Sequence, residues 1–575
     1  MRAAETPFLK FLQKGGQFTI PIYQRTYSWT EKQCERLWSD ILKSATDDSI
    51  KGHFIGSIVY VEEGLYQIST IPNSFVIDGQ QRLTTLSLLL TALRDEMKRL
   101  GLGKEISPEM IDNYYLFNMV EKEEKRYKLL LTQSDKTTFI NLILGHEPPK
   151  DSSKHIIDNF NFFKDKICQS SLDFEYIFKG INKLFIVDIA LDRNYDNPQR
   201  IFESLNSTGL ELSQADLIRN YALMGLKSPE QKEIYDQYWY PMEQSFGQTE
   251  YSRYFDRFMR DFLTIRRNGQ IPNIREVYDN FKEYTSEKNG KIKEIVEDVY
   301  QQSKFFTRLV FDKDDDPEIR EAIKDINTLK VDVAYPFLLE VISDYSNKII
   351  TKDDILHILR LVESYVFRRV ICGIPTNTLN KTFATLSKTV NKDRYLESVQ
   401  AAFALKTGYR KFPNDEEFQS QFMIKDVYNI RNKEYLLRKL ENHNRKETVN
   451  IQDYTIEHIM PQDRNLSPAW KQELGEHWEE IHNKYLHSIG NLTLTGYNSE
   501  LSNKTFLEKR NMESDLEEEG EDEEEDEIEP DVISISELGS KMCPKCGEVK
   551  PIDTGFRKRN IDGKEYDQSW CISCR

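Results

Sequence analysis

A chain of 575 residues is too long for a single hydrophobic core, and 39% hydrophobic, 11% aromatic and 30% charged residues describe folded globular protein, not a fibrous or disordered one. The formal charge of −17 argues against a uniformly basic nucleic-acid binder, but 15 acidic residues and no Lys or Arg lie between Asn511 and Ser540, and removing them leaves about −2. Met1-Arg-Ala-Ala-Glu-Thr has no apolar signal core, and the longest apolar run, Leu83 to Leu93, is too short to span a bilayer, so a soluble cytoplasmic protein without a membrane partner is expected.

The first part of the chain mixes short β-type runs with helices, an α+β pattern extending to about Tyr221. Ile20-Pro-Ile-Tyr23-Gln24-Arg25-Thr-Tyr27-Ser-Trp29 gathers aromatics, an amide and an arginine, a set able to stack on a base and bind its edge. A helix entry with core aromatics explains the same residues. Phe75-Val-Ile77 reads as a strand that ends at Asp78-Gly79. A helix follows, with Leu83, Leu86, Leu90, Leu93 and Met97 on one face.

Such a strand–glycine–helix junction points backbone N–H groups and the positive end of a helix dipole at an anion. Arg82 is placed to bind phosphate, and Gln80 and Gln81 to bind a base or sugar, although most glycine turns before helices are only structural. Leu184 to Ile189 is a second β-run, leading to Ile201-Phe-Glu-Ser-Leu-Asn206-Ser-Thr-Gly209.

From about Ala222 to Leu440 the pattern is helical. Ile355, Ile358, Leu359, Val362, Tyr365 and Val366 form one buried stripe, and no solenoid-type repeat is present. The polar stretch Asn442 to Glu447 marks a boundary.

Beyond it, Tyr454-Thr-Ile-Glu457-His458-Ile-Met-Pro461 sets a carboxylate beside an imidazole at the end of a β-type run. Phosphodiester hydrolysis needs a base for water and a cation for the developing charge. One histidine near neutral pKa supplies the first, and Mg²⁺ or Mn²⁺ on one or two oxygen ligands the second. Gly490-Asn491-Leu-Thr-Leu-Thr-Gly496 alternates like a strand, and Asn498 to Arg510, containing Asn503 and Lys504, reads as a helix capped by Asn498. His477, His482 and His487 fall in a charged helical stretch and read as solvated surface.

Residues 517–529 are almost wholly acidic and are expected to form a disordered linker. After it, Cys543-x-x-Cys546 and Cys571-x-x-Cys574, with 24 residues between the pairs, have the spacing of a structural four-cysteine Zn²⁺ site. The scattered Cys34, Cys168 and Cys372 fit a reducing compartment, which disfavours disulfides as the alternative. Arg557-Lys-Arg559 between the knuckles suggests DNA or protein contact, for which the acidic linker would compete.

Several of these segments, in this order, resemble the GmrSD-like family. They are Pro21-Ile-Tyr-Gln-Arg25, His53-Phe-Ile-Gly-Ser57, Asp78-Gly-Gln-Gln-Arg82, Phe202-Glu-Ser-Leu-Asn-Ser-Thr-Gly209, Glu363-Ser-Tyr-Val-Phe-Arg-Arg369 and the Glu457-His458 region. The resemblance spans roughly residues 8–511. It implies a ParB/sulfiredoxin-like N-terminal domain that binds and hydrolyses a nucleoside triphosphate, GTP or ATP. Asp78, Gly79, Gln80, Gln81 and Arg82 are the nucleotide-site residues, with Tyr23, Gln24, Arg25 and Asn206 as companions.

For the C-terminal part it implies a ββα-metal nuclease of the HNH, or His-Me finger, type. His458 is then the general base, Asn491 orients it, Asn503 on the helix holds the metal together with Glu457 or a neighbouring group, and Lys504 meets the scissile phosphate or the developing charge. Asn498 competes for the helix role. Past Arg510, where family members continue with another helix, this chain runs into the acidic stretch.

The expected architecture is therefore α+β and multidomain. It comprises a nucleotide-binding domain over residues 1–221, a helical region over 222–440, a nuclease domain over 441–511, an acidic linker over 512–540 and a zinc module over 541–575. The expected activity is NTP-dependent, metal-dependent cleavage of modified phage DNA, with a homo-oligomer compatible. A nucleotide-responsive DNA-binding regulator with an inert nuclease domain, or an RNA-cutting defence effector, shares the same motifs.

Overall fold

The computed structural model describes the chain except residues 63–70, 102–105, 171–172, 193–195, 197, 207–212, 448, 497–502, 512–539, 543–548, 552–555, 562–563 and 572–575. The chain divides into two compact units, one of residues 1–263 with 271–304 and one of residues 264–270 with 305–575. The helical region expected over 222–440 is helical but is shared between them, the division falling at residues 304 and 305.

The first unit is built on a six-stranded mixed sheet in the order β1-β6-β3-β4-β2-β5. Its strands are β1 (Arg2–Pro7), β2 (Gln17–Thr19), β3 (His53–Glu62), β4 (Asn73–Asp78), β5 (Leu129–Leu130) and β6 (Leu184–Leu191). Pairing is antiparallel for β1 with β6 and β3 with β4, and parallel for β6 with β3 and for β2 with both β4 and β5.

The helix Gln80–Leu100 follows β4 after one residue, Gly79, whose φ of +98° suits glycine and almost nothing else. The expected stripe along this helix is buried, but Leu88, Leu89 and Ala92 on its other faces are buried too. Helix Lys154–Gln169 packs across it, so the helix is an inner layer and needs apolar residues all round. This fixes the junction Asp78-Gly79-Gln80 as a rigid ledge at the end of β4.

The second unit centres on helix Lys352–Ile371, started by a capping box between Thr351 and Asp354. The predicted stripe Ile355, Ile358, Leu359, Val362, Tyr365 and Val366 is buried. Charge is buried beside it. Asp325, fully inaccessible, accepts from Arg360, Arg438 and Lys439, and Glu363 accepts from Arg360 and the Tyr435 hydroxyl. Each carboxylate has several cationic or hydroxyl donors, which is the condition under which a buried charge is tolerated.

A two-stranded antiparallel ribbon lies in the same unit, β7 (Thr455–His458) with β8 (Leu492–Thr495), in a register that sets His458 opposite Leu492. Leu492 and Ile456 of the ribbon pack with Ile371 and Phe367 of the central helix. Near the C-terminus two short hairpins pair Ser540–Met542 with Val549–Pro551, and Phe556–Ile561 with Lys564–Cys571. Among the described residues no helix is long and apolar enough to cross a membrane.

Candidate active site

β7 carries Glu457 and His458 as strand neighbours, so their side chains leave on opposite faces of the ribbon. The expectation of a carboxylate beside an imidazole holds for the backbone but not for the side chains. Glu457 meets Lys509, from the helical turn over residues 506–511, in a buried ion pair, and the same ammonium donates to the His458 carbonyl at 2.8 Å. His458, 3% exposed, turns instead to His487, Gln462 and Tyr428.

Both ring nitrogens of His458 are engaged. Nε2 lies 3.0 Å from Nδ1 of His487, and Nδ1 lies 2.9 Å from the Gln462 side-chain nitrogen. With the Gln462 amide donating to Nδ1, the imidazole carries its proton on Nε2 and gives it to His487. The His487 ring stacks on Tyr428 with centroids 5.2 Å apart, and Lys433 lies over the same tyrosine. Burial, reinforced by His487 and Lys509, pulls the His458 imidazole down to about 4 from its ordinary value, so at neutral pH it is an uncharged base.

Asn491 fixes the chain that leaves β7. Its side chain accepts the Met460 N–H at 2.6 Å and donates to the carbonyls of Met460 and Leu486, while its own carbonyl accepts the Ile459 N–H. Buried backbone that leaves a ladder needs such partners, and one asparagine here supplies them. Its bonds go to the backbone after His458, and none goes to the imidazole ring.

Two of the three histidines read as surface are not. His482 is buried with Nε2 2.9 Å from the Pro461 carbonyl, and His487 is half-buried against His458; only His477 is exposed. The helical pattern alone could not show that this segment folds back over the loop after β7.

Asn503 is exposed and lies in a turn, not on a helix. The helical turn begins later because Thr505 and Glu508 form the capping interaction, the Thr505 N–H and hydroxyl each donating to the Glu508 carboxylate at 2.8 Å. Lys504 is half-buried, and its carbonyl accepts from the Trp470 indole at 3.1 Å. Asn498, the rival for the helix role, lies outside the described residues. Among the described residues no group of three or more His, Cys, Asp or Glu is arranged to hold a metal. Glu457 and the Asn503 amide carry oxygen donors of the kind Mg²⁺ or Mn²⁺ accepts, but no hydrogen bond joins them, Asn503 is exposed, and the buried Glu457 is already taken by Lys509.

Sequence inspection missed His487, Gln462, Tyr428 and Lys509. His487 precedes β8 by a few residues, but its meeting with His458 depends on the ribbon register. No local signal links Lys509 with Glu457.

In the first unit the glycine ledge presents Asp78 and Arg82, both partly exposed. Arg82 donates to the Ser57 carbonyl at 3.0 Å and lies 3.7 Å from Asp78. Gly56 lets it do so, since a Cβ there would stand 2.7 Å from the guanidinium. The glutamines expected to read a base or sugar serve the fold. Gln80 donates to the Arg25 carbonyl, Gln81 accepts the N–H groups of Ser28 and Trp29, and Gln24 donates to the Ile77 carbonyl.

These three glutamines clamp the Tyr23–Trp29 segment to the ledge. Tyr23 and Tyr27 are buried, and the Tyr23 carbonyl accepts from Arg219 at 2.9 Å, so neither ring is a free stacking platform. Arg25 is half-buried beside them. The side chain of Asn206 lies outside the described residues, as do Cys543, Cys546, Cys574 and the side chain of Cys571.

Residues 8–223 match the GmrSD restriction endonuclease N-terminal domain, and residues 412–534 match the GmrSD restriction endonuclease C-terminal domain. No curated protein matches the chain. Both matched domains are those of restriction endonucleases, DNA-cutting enzymes of phage defence. The two matches together cover more than half of the chain, which belongs to the GmrSD restriction endonuclease family.

Proposed function

We propose that this protein is an NTP-dependent endonuclease that cuts modified phage DNA in the cytoplasm, with His458 as general base. The observation that carries the reading is the order β7, β8, helical turn, with His458 at the strand end, Asn491 pinning the chain beyond it and Lys509 tying the helical turn to the ribbon. That order supports a ββα-metal, HNH-like nuclease domain. In the reaction the attacking water replaces the Gln462 amide at Nδ1 of His458 and passes its proton there, while His487 holds Nε2. Lys504 faces the phosphate. A hard divalent ion, Mg²⁺ or Mn²⁺, would supply positive charge for the developing oxyanion; Asn503 and Glu457 are the donors expected to hold it, Glu457 only after leaving Lys509 and the ribbon face opposite His458.

The first unit is read as a ParB/sulfiredoxin-like domain. It takes GTP or ATP at the helix N-terminus formed by Asp78, Gly79 and Arg82, with Arg25 close by. Cys543, Cys546, Cys571 and Cys574 are read, on their spacing, as the ligands of one Zn²⁺ in a separate module over residues 541–575.

The test is digestion of modified and unmodified phage DNA with Mg²⁺ or Mn²⁺ and each NTP. Cleavage by the wild-type chain and its loss in folded His458→Ala is the expected result; equal cleavage by the variant ends the reading. One observation favours a second reading. Lys509 occupies Glu457 and both His458 nitrogens have partners, as in a nuclease domain that has become a structural platform for a nucleotide-responsive DNA-binding regulator. NTP hydrolysis without strand scission on any DNA or RNA would select it.

A further inference from the structure

A surface depression of about 580 Å³ in the second unit is lined by Thr378, Leu405, Lys406, Tyr409 and Arg410. It precedes the matched C-terminal domain in sequence and shares no residue with the His458 site. Leu405 is 80% and Tyr409 73% exposed, an unusual cost for large apolar side chains standing together. Lys406 and Arg410 flank them, and among the described residues neither has an acidic ion-pair partner. The neighbouring basic residues do: Arg368 pairs with Asp415 and Lys411 with Glu417. Partial burial and the nearby Arg410 guanidinium lower the Lys406 ammonium from its ordinary value, so the patch would gain from an anion.

The patch is held rigidly. Arg369, fully buried, donates to the carbonyls of Tyr409, Lys411 and Pro375, and the Thr378 hydroxyl also donates to the Tyr409 carbonyl. The Tyr365 hydroxyl donates to the Arg410 carbonyl at 2.9 Å. Tyr365 and Arg369 belong to helix Lys352–Ile371, the same helix whose Phe367 and Ile371 pack on the β7–β8 ribbon. One helix therefore carries both the ribbon and this loop. A loop with no structural need for an exposed tyrosine is clamped by a buried arginine so that the ring faces outward.

We infer that this depression binds a nucleotide of unpaired DNA, its phosphate between Lys406 and Arg410 and its base stacked on Tyr409. Two cations at an open aromatic ring are the elements that bind single-stranded nucleic acid without reading its sequence. The site rests on the endonuclease reading and deepens it by giving the second unit a grip on substrate away from the reacting phosphate.

The test uses the full chain without added divalent ion and a fluorescent single-stranded deoxyoligonucleotide, a duplex of the same sequence and a matching RNA. Anisotropy is expected to show Tyr409→Ala weakening single-stranded DNA binding about 10-fold or more. Lys406→Ala with Arg410→Ala is expected to lower the steepness of the salt dependence by about one to two phosphate contacts. Both variants should keep the wild-type melting temperature. As an independent readout, a 5-iododeoxyuridine oligonucleotide should photo-cross-link to the tryptic peptide Thr407–Arg410.

Unchanged affinity and salt dependence with no cross-link in that peptide would overturn the assignment. So would a loss confined to the RNA, or cross-linking of this peptide to another protein chain alone. Because the readout is binding, the result is separable from the nuclease reading. A chain that binds here but never cuts sinks only the latter, and a cutting chain whose Tyr409→Ala variant binds normally sinks only the former.

Discussion

Lys509 reaches Glu457 from 52 residues away, and both groups are almost wholly removed from water. Removing one member of such a pair leaves an uncompensated buried charge, which costs about 3–5 kcal/mol. Lys509→Met is therefore expected to lower chemical-denaturation stability by that order, and Glu457→Gln with Lys509→Met to recover most of it. Equal stability of the single variant and wild type would mean that Glu457 is charged without needing Lys509.

A second residue gives a pH signature. Asp135 is buried beneath the Tyr27 N–H it accepts, and burial pushes its carboxyl up to about 6. Its folded-state value exceeds the unfolded one of about 4, so its contribution is complete below pH 4 and is lost as pH rises through 6. Asp135→Asn keeps an acceptor for Tyr27 and abolishes that slope. Between pH 5 and pH 7 the wild type is expected to lose on the order of 1 kcal/mol relative to the variant in parallel unfolding titrations.

At the scale of elements, the junction of β4 with its helix depends on one residue. A Cβ at Gly79 would stand 2.9 Å from Ile58 and 3.0 Å from the Ser57 carbonyl, on a backbone already at positive φ. Gly79→Ala is expected to cost about 1–3 kcal/mol and, as Arg82 shifts, to weaken the nucleotide binding proposed for this junction, read by thermal unfolding and by titration with labelled NTP. The chain leaving β7 depends likewise on Asn491. Asn491→Ala strips partners from the Met460 N–H and two carbonyls, costing about 2 kcal/mol or more. Hydrogen exchange at Met460 should accelerate; an unchanged rate would show that another group holds the loop.

Across the whole molecule, charge is segregated. The acidic run from residue 517 to 529 stands apart from a chain otherwise near neutrality. An anionic segment competes with DNA for cationic surface, and the competition is screened by salt. Deleting residues 517–529 is expected to tighten DNA binding at low ionic strength and to change little at high salt. Affinity that stays the same at low salt removes autoinhibition from consideration. Chelation-resistant zinc at one ion per chain, measured on the intact protein, tests the four C-terminal cysteines.

Much of the architecture was legible in the order of residues alone. Period-2 and helical patterns located β4, β6, β7, β8, the Gln80–Leu100 helix and the Lys352–Ile371 helix, because each follows from neighbours a few residues apart. The same locality pointed to Glu457-His458, Asn491 and the glycine ledge, and ordered motifs pointed to the family. Roles that depend on distant partners were not legible. Gln80 and Gln81 proved to clamp backbone, His482 and His487 left the surface, Asn503 stood before its helix, and Lys509 took Glu457. Hydrogen bonds and ion pairs are settled by register and packing between segments dozens of residues apart. The sequence by itself determined which elements form and which reactive side chains they carry; only the tertiary structure decided what each side chain faces.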